Sequence, residues 1–307
     1  MKLYLAGMYA NRQELTGKTF REKLDNRERA ARLGVRYFLE SYHYISKQAY
    51  PDRIKIDNNK IFLDSGAFSA YTKSVVVNIE EYCEFIKRNW DIIENVDGDL
   101  IASVLDSIGD CYKTWENQMK MESLGVRPLP CFHFGEDLEY LKWYVDRYTY
   151  ITLGGMAMTS APNMIKWLDF IWDKYLTNSD GSPKVKVHGF ALTNIKIMGR
   201  YPWYSVDSSS WIQYSLNGYI YVPALESSLM ISDKKSSRKE EGHHFDTLTP
   251  LQHASVTQMI EKDGFKAERM RVNIDARSAY NQWAYTMLND KINNEATNFV
   301  AEQPGLF

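Results

Sequence analysis

The chain has 307 residues, of which 44% are hydrophobic and 25% charged, the composition of a globular protein and not of a disordered one. Its formal net charge of −2 excludes a global attraction to polyanions, so a nucleic acid would have to be held by a local basic patch. Three cysteines without CxxC spacing argue against a disulfide framework and against a structural zinc site built from cysteines.

Strand-like and helical segments alternate from the beginning of the chain. Polar residues soon follow the first apolar run, so no signal peptide or membrane-spanning helix is expected, and a cytoplasmic location is predicted. Eight runs have the apolar character of buried strands, namely Lys2–Gly7, Arg36–Tyr42, Lys60–Asp64, Leu100–Asp106, Arg127–Phe134, Tyr150–Gly155, Val185–Leu192 and Trp203–Ser208. The helical segments between them are Asn11–Leu33, Asn78–Ile93, Asp110–Leu124, Asp137–Arg147 and Pro162–Tyr175. This alternation predicts an α/β fold, a (β/α)8 TIM-like barrel.

The pattern changes after residue 217. Tyr219–Pro223 has the character of a hairpin or edge strand, and Ser232–Asp246 is polar and charged like a loop. Two helices are predicted near Pro250–Lys262 and Asp275–Asn289. The sequence therefore predicts a catalytic barrel over residues 1–217 and a C-terminal extension of helices and loops, packed on the barrel, over residues 218–307.

Polar residues stand at the predicted C-terminal ends of the strands, where barrel enzymes place their chemistry. The acids are Asp64, Asp106 and Asp207, and His133 ends the fifth strand. Each acid alone is explained by helix capping, but three at one rim are not. After Asp64, the small residues Ser65 and Gly66 let a flat ligand approach the backbone.

Two chemistries fit these residues equally well. Carboxylates at one mouth suit reaction at an anomeric carbon, where one acid attacks and another moves protons on the leaving group. The rival is a divalent cation held by Asp64, Asp106, His133 and Asp207.

Six segments in order resemble the motifs of the tRNA-guanine transglycosylase superfamily. They are LDSGAFSAY, SVLDSIGD, FHFGED, LGGMA, HGFALTN and YSVDSSSW, and they cover about residues 60–211. The resemblance is closest to the small phage branch that is associated with placing 7-deazaguanine bases, such as preQ0, in DNA. It implies exchange of guanine for a 7-deazaguanine through a covalent Asp–sugar intermediate, with no cofactor.

The resemblance also implies roles for individual residues. Asp207 corresponds to the nucleophile, Asp64 handles protons on the departing and entering bases, and Asp106 binds the base. The pair Gly154 and Gly155 offers backbone groups to the base edge. The other candidate substrate-binding residues are Ser65, Gly66, Phe68, His133, Met156 and His188, with Phe68 and Met156 as stacking partners and His188 more readily interpreted as a packed core histidine.

The expected partners are DNA and a 7-deazaguanine base, with no membrane. Exchange on tRNA is an alternative, but the chain lacks the closely spaced cysteines of the tRNA enzymes, and a zinc site at His243, His244 and His253 is not favoured. Lys196 and Arg200 are the candidate phosphate contacts. Two further alternatives remain open, a nucleoside or glycoside hydrolase and a non-catalytic nucleic-acid-binding barrel. The oligomeric state is left open.

Overall fold

The computed structural model describes residues 1–10, 24–47, 49–72, 76–156, 159–192, 194–234, 242–295, 297 and 299–300. The chain forms two compact units. Unit 1 comprises Met1–Asn11, Tyr37–Ser208 and Glu295–Phe307, and unit 2 comprises Arg12–Arg36 and Ser209–Asn294. The division into a barrel over 1–217 and an extension over 218–307 stays a prediction.

A seven-stranded sheet forms the centre of unit 1. Its strands, with the hairpin β4–β5 that lies outside the sheet, are β1 (Lys2–Ala6), β2 (Phe38–Ser41), β3 (Ile61–Asp64), β4 (Asn95–Val96), β5 (Asp99–Leu100), β6 (Cys131–His133), β7 (Tyr150–Gly154), β8 (Lys186–Gly189) and β9 (Ser205–Ser208). The sheet order is β3-β2-β1-β9-β8-β7-β6, and every neighbouring pair is parallel. The sheet is therefore a curled, parallel half-barrel in an α/β fold.

Seven of the eight predicted strands are confirmed, but Leu100–Asp106 is not a continuous strand. Asp97 and Gly98 both have positive φ, 56° and 99°, which is the geometry of a tight hairpin turn, and Asp99–Leu100 pairs with Asn95–Val96. Residues 101–104 form isolated parallel bridges and not a strand of the sheet, Leu63 with Ala102 and Ser103 with Leu129. Within the described residues the sheet is thus not a closed barrel of eight strands.

The concave side of the sheet is filled by large apolar side chains. This buried cluster consists of Tyr4, Leu39, Phe62, Ile101, Leu129 and Tyr150, none more than 5% exposed. One residue comes from each of six strands or strand-like segments, because alternate residues of a strand face the same side. The interior is therefore packed, and ligands are left to the strand ends.

Helices follow the strands of unit 1. They are Tyr42–Ile45, Ala49–Ile56, Ala67–Thr72, Ile79–Arg88, Cys111–Ser123, Leu138–Arg147, Ala161–Ile171 and Ile195–Arg200, with a π-helical turn at Trp172–Leu176 and a 3-10 turn at Trp90–Ile92. Caps fix two of the predicted helices, since Asn78 and Asp110 accept hydrogen bonds from the amides of Glu81 and Lys113. The helical predictions after residue 78 are confirmed, and residues 11–23 of the predicted first helix lie outside the described residues.

Unit 2 consists of helices and one hairpin. Its elements are the helices Asn26–Leu33, Ser210–Leu216, Pro250–Lys262, Ala267–Val272 and Ile274–Asn294, and the strands β10 (Tyr219–Val222) and β11 (Ser227–Met230). Buried Asn281 joins the long last helix to the hairpin, since its Oδ1 accepts the amide of Tyr221 at 2.8 Å. The predicted hairpin and the two C-terminal helices are confirmed. Residues 235–241 of the predicted polar loop lie outside the described residues. Among the helices that the structure describes, none has both the length and the apolar character to cross a membrane.

Candidate functional site

Three acids come together at one edge of the parallel sheet. Asp64 is the last residue of β3, Asp207 lies in β9, and Asp106 follows the bridging segment 101–104. Burial, and then the negative charges of Asp106 and Asp207, raise the pKa of Asp64 to about 7. The charges of acids that are remote in the sequence thus act on one carboxyl group, which at neutral pH is divided between its acid and its base form.

The turn after β3 holds Asp64 in place. The Gly66 amide donates to Asp64 Oδ2 at 3.0 Å. Gly66 has a φ of 80°, and a Cβ there would lie 2.5 Å from Ser41 Oγ and 2.6 Å from His43 Cβ. Only glycine fits this turn, because the positive φ and the close backbone approach both exclude a side chain.

Ser65 connects the turn to Asp106. Its side chain is fully buried, and its hydroxyl donates to Asp106 Oδ1 at 3.2 Å. Its amide donates to Ser103 Oγ at 2.9 Å. Ser65 therefore orients one oxygen of Asp106 and fixes the distance between the two acid-bearing loops.

His133 lies between two carboxylates. Its Nε2 is 2.9 Å from Asp106 Oδ2, and its Nδ1 is 3.0 Å from Glu136 Oε1. Burial alone would lower the pKa of His133, but the hydrogen bonds to Asp106 and Glu136 raise it far above its ordinary value. The imidazolium is therefore held as a double donor, and it fixes the second oxygen of Asp106.

Glu136 was missed by the sequence analysis, although it stands in the segment FHFGED. It binds His133 twice, because Oε2 also accepts the His133 amide at 2.8 Å. The detectable signal was a carboxylate three residues after a strand-end histidine, in a turn whose Gly135 has a φ of 85°.

The glycine pair that ends β7 makes room for His133. A Cβ on Gly154 would lie 2.7 Å from His133 Cδ2, which is closer than real contacts allow. Gly155 is exposed, has a φ of 73° and approaches the amide of Phe134, since a Cβ there would be 3.1 Å from that nitrogen. The first glycine is thus required by the imidazole ring, and the second leaves backbone exposed at the rim.

One oxygen of Asp207 is fixed. Asp207 is 5% exposed, and Oδ1 accepts the Ala191 amide at 2.8 Å and lies 3.3 Å from His188 Nε2. Among the described residues, no hydrogen bond reaches the other oxygen, Oδ2. Such a carboxylate is oriented by one oxygen and able to react through the other. His188 is completely buried, so it contacts Asp207 and not solvent.

Four other candidate residues lie apart from this hydrogen-bonded set. Phe68 is 56% exposed, as a stacking platform requires, whereas Met156 is 1% exposed and packed. Lys196 is exposed. Arg200 makes a bidentate pair with Asp169, at 3.0 Å from Nε and 2.9 Å from Nη2, so its charge is already partly compensated.

One group of residues at the site has the spacing of metal ligands. Donor atoms of Asp106, Cys131 and His133 all lie within 4.8 Å of one another, a spacing that suits a divalent cation. His133 Nε2, however, already carries the proton that it shares with Asp106, and burial raises the pKa of the Cys131 thiol, so both ligands would have to lose a proton first.

Two of the three C-terminal histidines, His244 and His253, have structural partners. His244 is buried, with Nε2 at 3.2 Å from the Ser232 carbonyl oxygen and Nδ1 accepting the Asp246 amide at 3.0 Å. The His253 ring packs at 4.1 Å from the ring of Phe245. Within the parts of the chain that the structure describes, no cluster of potential metal ligands includes them.

A cleft of about 720 Å³ lies away from the acids. It is lined at the N-terminal ends of the strands by Thr149, Lys186 and Tyr204, among others. In parallel α/β proteins that end of the sheet serves stability more than chemistry, so the acidic edge is the stronger candidate site.

The fold and the acidic edge define a parallel α/β protein with three carboxylates and a buried imidazolium at its strand ends. No protein-family model matches the chain, and a search of curated proteins finds no match.

Proposed function

We propose that the protein is a base-exchange glycosyltransferase that replaces guanine in DNA with a 7-deazaguanine base. The observation that carries this proposal is that Asp64, Asp106 and Asp207 lie at one edge of the sheet, where the charges of Asp106 and Asp207 act on Asp64. Base exchange needs a nucleophile and a proton carrier beside the same sugar carbon, and these acids are candidates for both. The choice of a 7-deazaguanine as the base and of DNA as the polymer rests on the resemblance of the six segments to the transglycosylase motifs.

The reaction balances with these residues alone. Asp207 Oδ2 attacks C1′ of the target nucleotide, the C1′–N9 bond breaks, and guanine leaves with a proton from the carboxyl form of Asp64. The incoming deazaguanine then gives its N9 proton to the Asp64 carboxylate, and N9 attacks C1′ to release Asp207. Both half-reactions use an acid whose pKa is about 7, and no cofactor is consumed.

Asp106 and the backbone at Gly155 are the candidates for binding the base. Asp106 has its two oxygens oriented by Ser65 and His133, and the backbone at Gly155 is exposed beside them. A planar purine with donor groups on one edge suits an oriented carboxylate and a side-chain-free backbone. In duplex DNA the target nucleotide would first have to leave the stack.

The proposal extends to the place between β3 and β6, where the described sheet has no strand. The backbone of residues 101–104 forms hydrogen bonds with Leu63 and with Leu129. For example, the Ser103 amide donates to the Leu63 carbonyl oxygen at 2.9 Å. We infer that this segment takes the place of an eighth strand between β3 and β6 of a TIM-like fold, without forming a continuous strand, and that residues 218–307 are an extension of that fold. The three free cysteines, Cys83, Cys111 and Cys131, favour a reducing cytoplasm, that of the host if the protein is phage-encoded.

Trapping on nucleic acid tests the proposal. The protein is mixed with end-labelled DNA or tRNA and a labelled deazaguanine, then denatured, and the covalent adduct and the label in the polymer are counted. Wild-type protein is expected to form the adduct on DNA and Asp207→Asn to form none, a loss of at least about 1000-fold. Asp180→Asn is the matched control, because Asp180 is a turn carboxylate bonded to Ser182.

Other outcomes identify the alternatives. Label in tRNA alone means exchange on tRNA, and free guanine without incorporation means a hydrolase. Binding without chemistry, unchanged in Asp64→Asn and Asp207→Asn, means a non-catalytic barrel. Absence of incorporation into any DNA or RNA overturns the proposal.

A further inference from the structure

We infer that His188 is a positioning residue that orients Asp207 from the end of a buried hydrogen-bond chain running through Ser205 and Tyr150. This inference rests on the proposed role of Asp207 as the nucleophile. It gives the hydrogen-bond chain of Tyr150, Ser205 and His188 a function that follows neither from the motif resemblance nor from the three acids.

The chain is continuous through the interior of the half-barrel. Tyr150 Oη lies 2.5 Å from Ser205 Oγ, Ser205 Oγ lies 2.6 Å from His188 Nδ1, and His188 Nε2 lies 3.3 Å from Asp207 Oδ1. All four side chains are buried, and Ser205 and His188 have no exposed surface. With solvent excluded, each hydrogen bond depends on its protein partner.

The donor and the acceptor of each hydrogen bond in this series follow from the chemistry of the side chains. An ionised carboxylate only accepts, so the proton of the imidazole must be on Nε2 if it is to bond with Asp207. Burial lowers the pKa of His188 against the opposing effect of Asp207, which favours the neutral ring. Its Nδ1 then accepts the Ser205 hydroxyl, and Ser205 Oγ accepts the Tyr150 hydroxyl. Every proton in the chain therefore has one assigned place.

The surroundings fix the imidazole ring as well as its protons. Phe62 and Phe190 pack against it, with ring centroids 4.4 and 4.7 Å away. Ala191 has the left-handed φ of 51° and donates its amide to the same oxygen, Oδ1. A non-glycine residue in this conformation is strained, and here it aims a donor at Asp207.

These contacts divide the work between the two oxygens of Asp207. Oδ1 is fixed by His188 and Ala191, which leaves Oδ2 to form the bond to the sugar carbon. A neutral imidazole donates one hydrogen bond without cancelling the negative charge, so Asp207 stays a nucleophile. The same bond strengthens again when the carboxylate departs in the second half-reaction.

Two substitutions at His188 separate positioning from packing. His188→Gln retains a donor near the place of Nε2 but has no acceptor at the place of Nδ1, whereas His188→Phe retains a ring and loses both bonds. We expect adduct formation to slow by about 100-fold in His188→Phe and by about 10-fold or less in His188→Gln, with thermal unfolding of both variants measured in parallel. Tyr150→Phe keeps the packing and removes only the hydrogen bond between Tyr150 and Ser205, so the rate of adduct formation should fall by about threefold to tenfold.

A spectroscopic measurement tests the chain without any activity. In ¹⁵N-histidine NMR of the whole protein, the signal of His188 is assigned by its absence in His188→Gln. The expected signature is a protonated Nε2 and an unprotonated Nδ1 that do not titrate between about pH 5 and 8. In Ser205→Ala the Nδ1 resonance should shift, because its only chain donor is removed.

The outcomes distinguish this inference from the proposed function. A wild-type protein that forms no adduct on any nucleic acid overturns the proposed function, whatever the tautomer. A proton on Nδ1, titration of His188 near its ordinary pKa, or a His188→Phe variant that forms adduct at the wild-type rate overturns the positioning role.

Discussion

Asp64 and Asp207 stand at the same end of the parallel sheet, and after burial and the charge of Asp106, the charge of Asp207 helps raise the pKa of Asp64 to about 7. The two strands that carry them, β3 and β9, are separated in the sheet by β2 and β1. This arrangement gives the site a fixed carboxylate and a carboxyl group that exchanges its proton near neutral pH.

The two half-reactions should have opposite pH dependences. Adduct formation needs the protonated form of Asp64, so its rate should fall about tenfold for each pH unit above 7, and attack by the deazaguanine needs the carboxylate and should fall similarly below 7. Single-turnover rates of each half-reaction between pH 5.5 and 8.5, an interval of about 1.5 units on either side of 7, test this. Both rates should lose their dependence in Asp64→Asn. Flat profiles in the wild-type protein would remove Asp64 from proton transfer.

Replacing Asp64 should stabilise the protein at high pH. The pKa is 3.8 for an ordinary Asp and about 7 in the fold, so the folded state holds the proton more tightly than the unfolded chain. The resulting stabilisation is complete below pH 3.8 and is lost as the pH rises through 7. Asp64→Asn removes the buried charge, so its free energy of unfolding at pH 8 should exceed that of wild type by a few kcal/mol at most, with the two values converging near pH 4.

Asp180→Asn is the control for that comparison. Hydrogen bonds from Ser182 lower the pKa of Asp180, so this exposed carboxylate has no burial cost for the substitution to relieve. A decrease in the unfolding temperature of Asp64→Asn at pH 8, measured beside this control, would contradict the burial argument.

A methyl group at Gly154 should disrupt the base side of the site. The added Cβ would meet His133 Cδ2 at 2.7 Å, so the imidazole must move away from Asp106. We expect Gly154→Ala to destabilise the fold by about 1–3 kcal/mol and to weaken base binding more than adduct formation. Gly199→Ala is the matched control, since nothing beyond its chain neighbours and the backbone of its own helix, Ile195–Arg200, lies within 4 Å of its Cβ position, and it should stabilise by about 0.5–1 kcal/mol. Equal unfolding free energies for the two variants would refute the packing argument.

Chelators should leave base exchange unchanged. Asp106 and His133 share a proton, and burial raises the pKa of the Cys131 thiol, so the three donors are better satisfied without a cation. Cys131→Ser is expected to keep its exchange rate within about threefold of wild type, as for a thiol used for packing. Activity that is lost on chelation, restored by Zn²⁺ and absent in Cys131→Ser would instead make these residues a metal site.

Much of the fold was predictable because its signals are local. Short apolar runs such as Ile61–Leu63 and Ile151–Leu153 predict strands buried on both faces, and caps such as Asn78 begin helices. The prediction for Leu100–Asp106 was wrong because the Asp97–Gly98 turn draws the start of that run into a hairpin. The adjacent Asp97 and Gly98 are the sequence signal for this hairpin turn.

By itself the sequence determined the order of strands and helices and placed acids at strand ends, since both follow from residue type and spacing along the chain. Only the tertiary structure decided that Glu136 holds His133 and that His188 faces Asp207 from inside the sheet. Pairings of this kind depend on strand register and on which face of a strand meets the interior, and a single sequence specifies neither. Burial then changes the proton affinities of Asp64 and His188, because the cost of charge depends on the surrounding protein and not on the neighbouring residues in the chain.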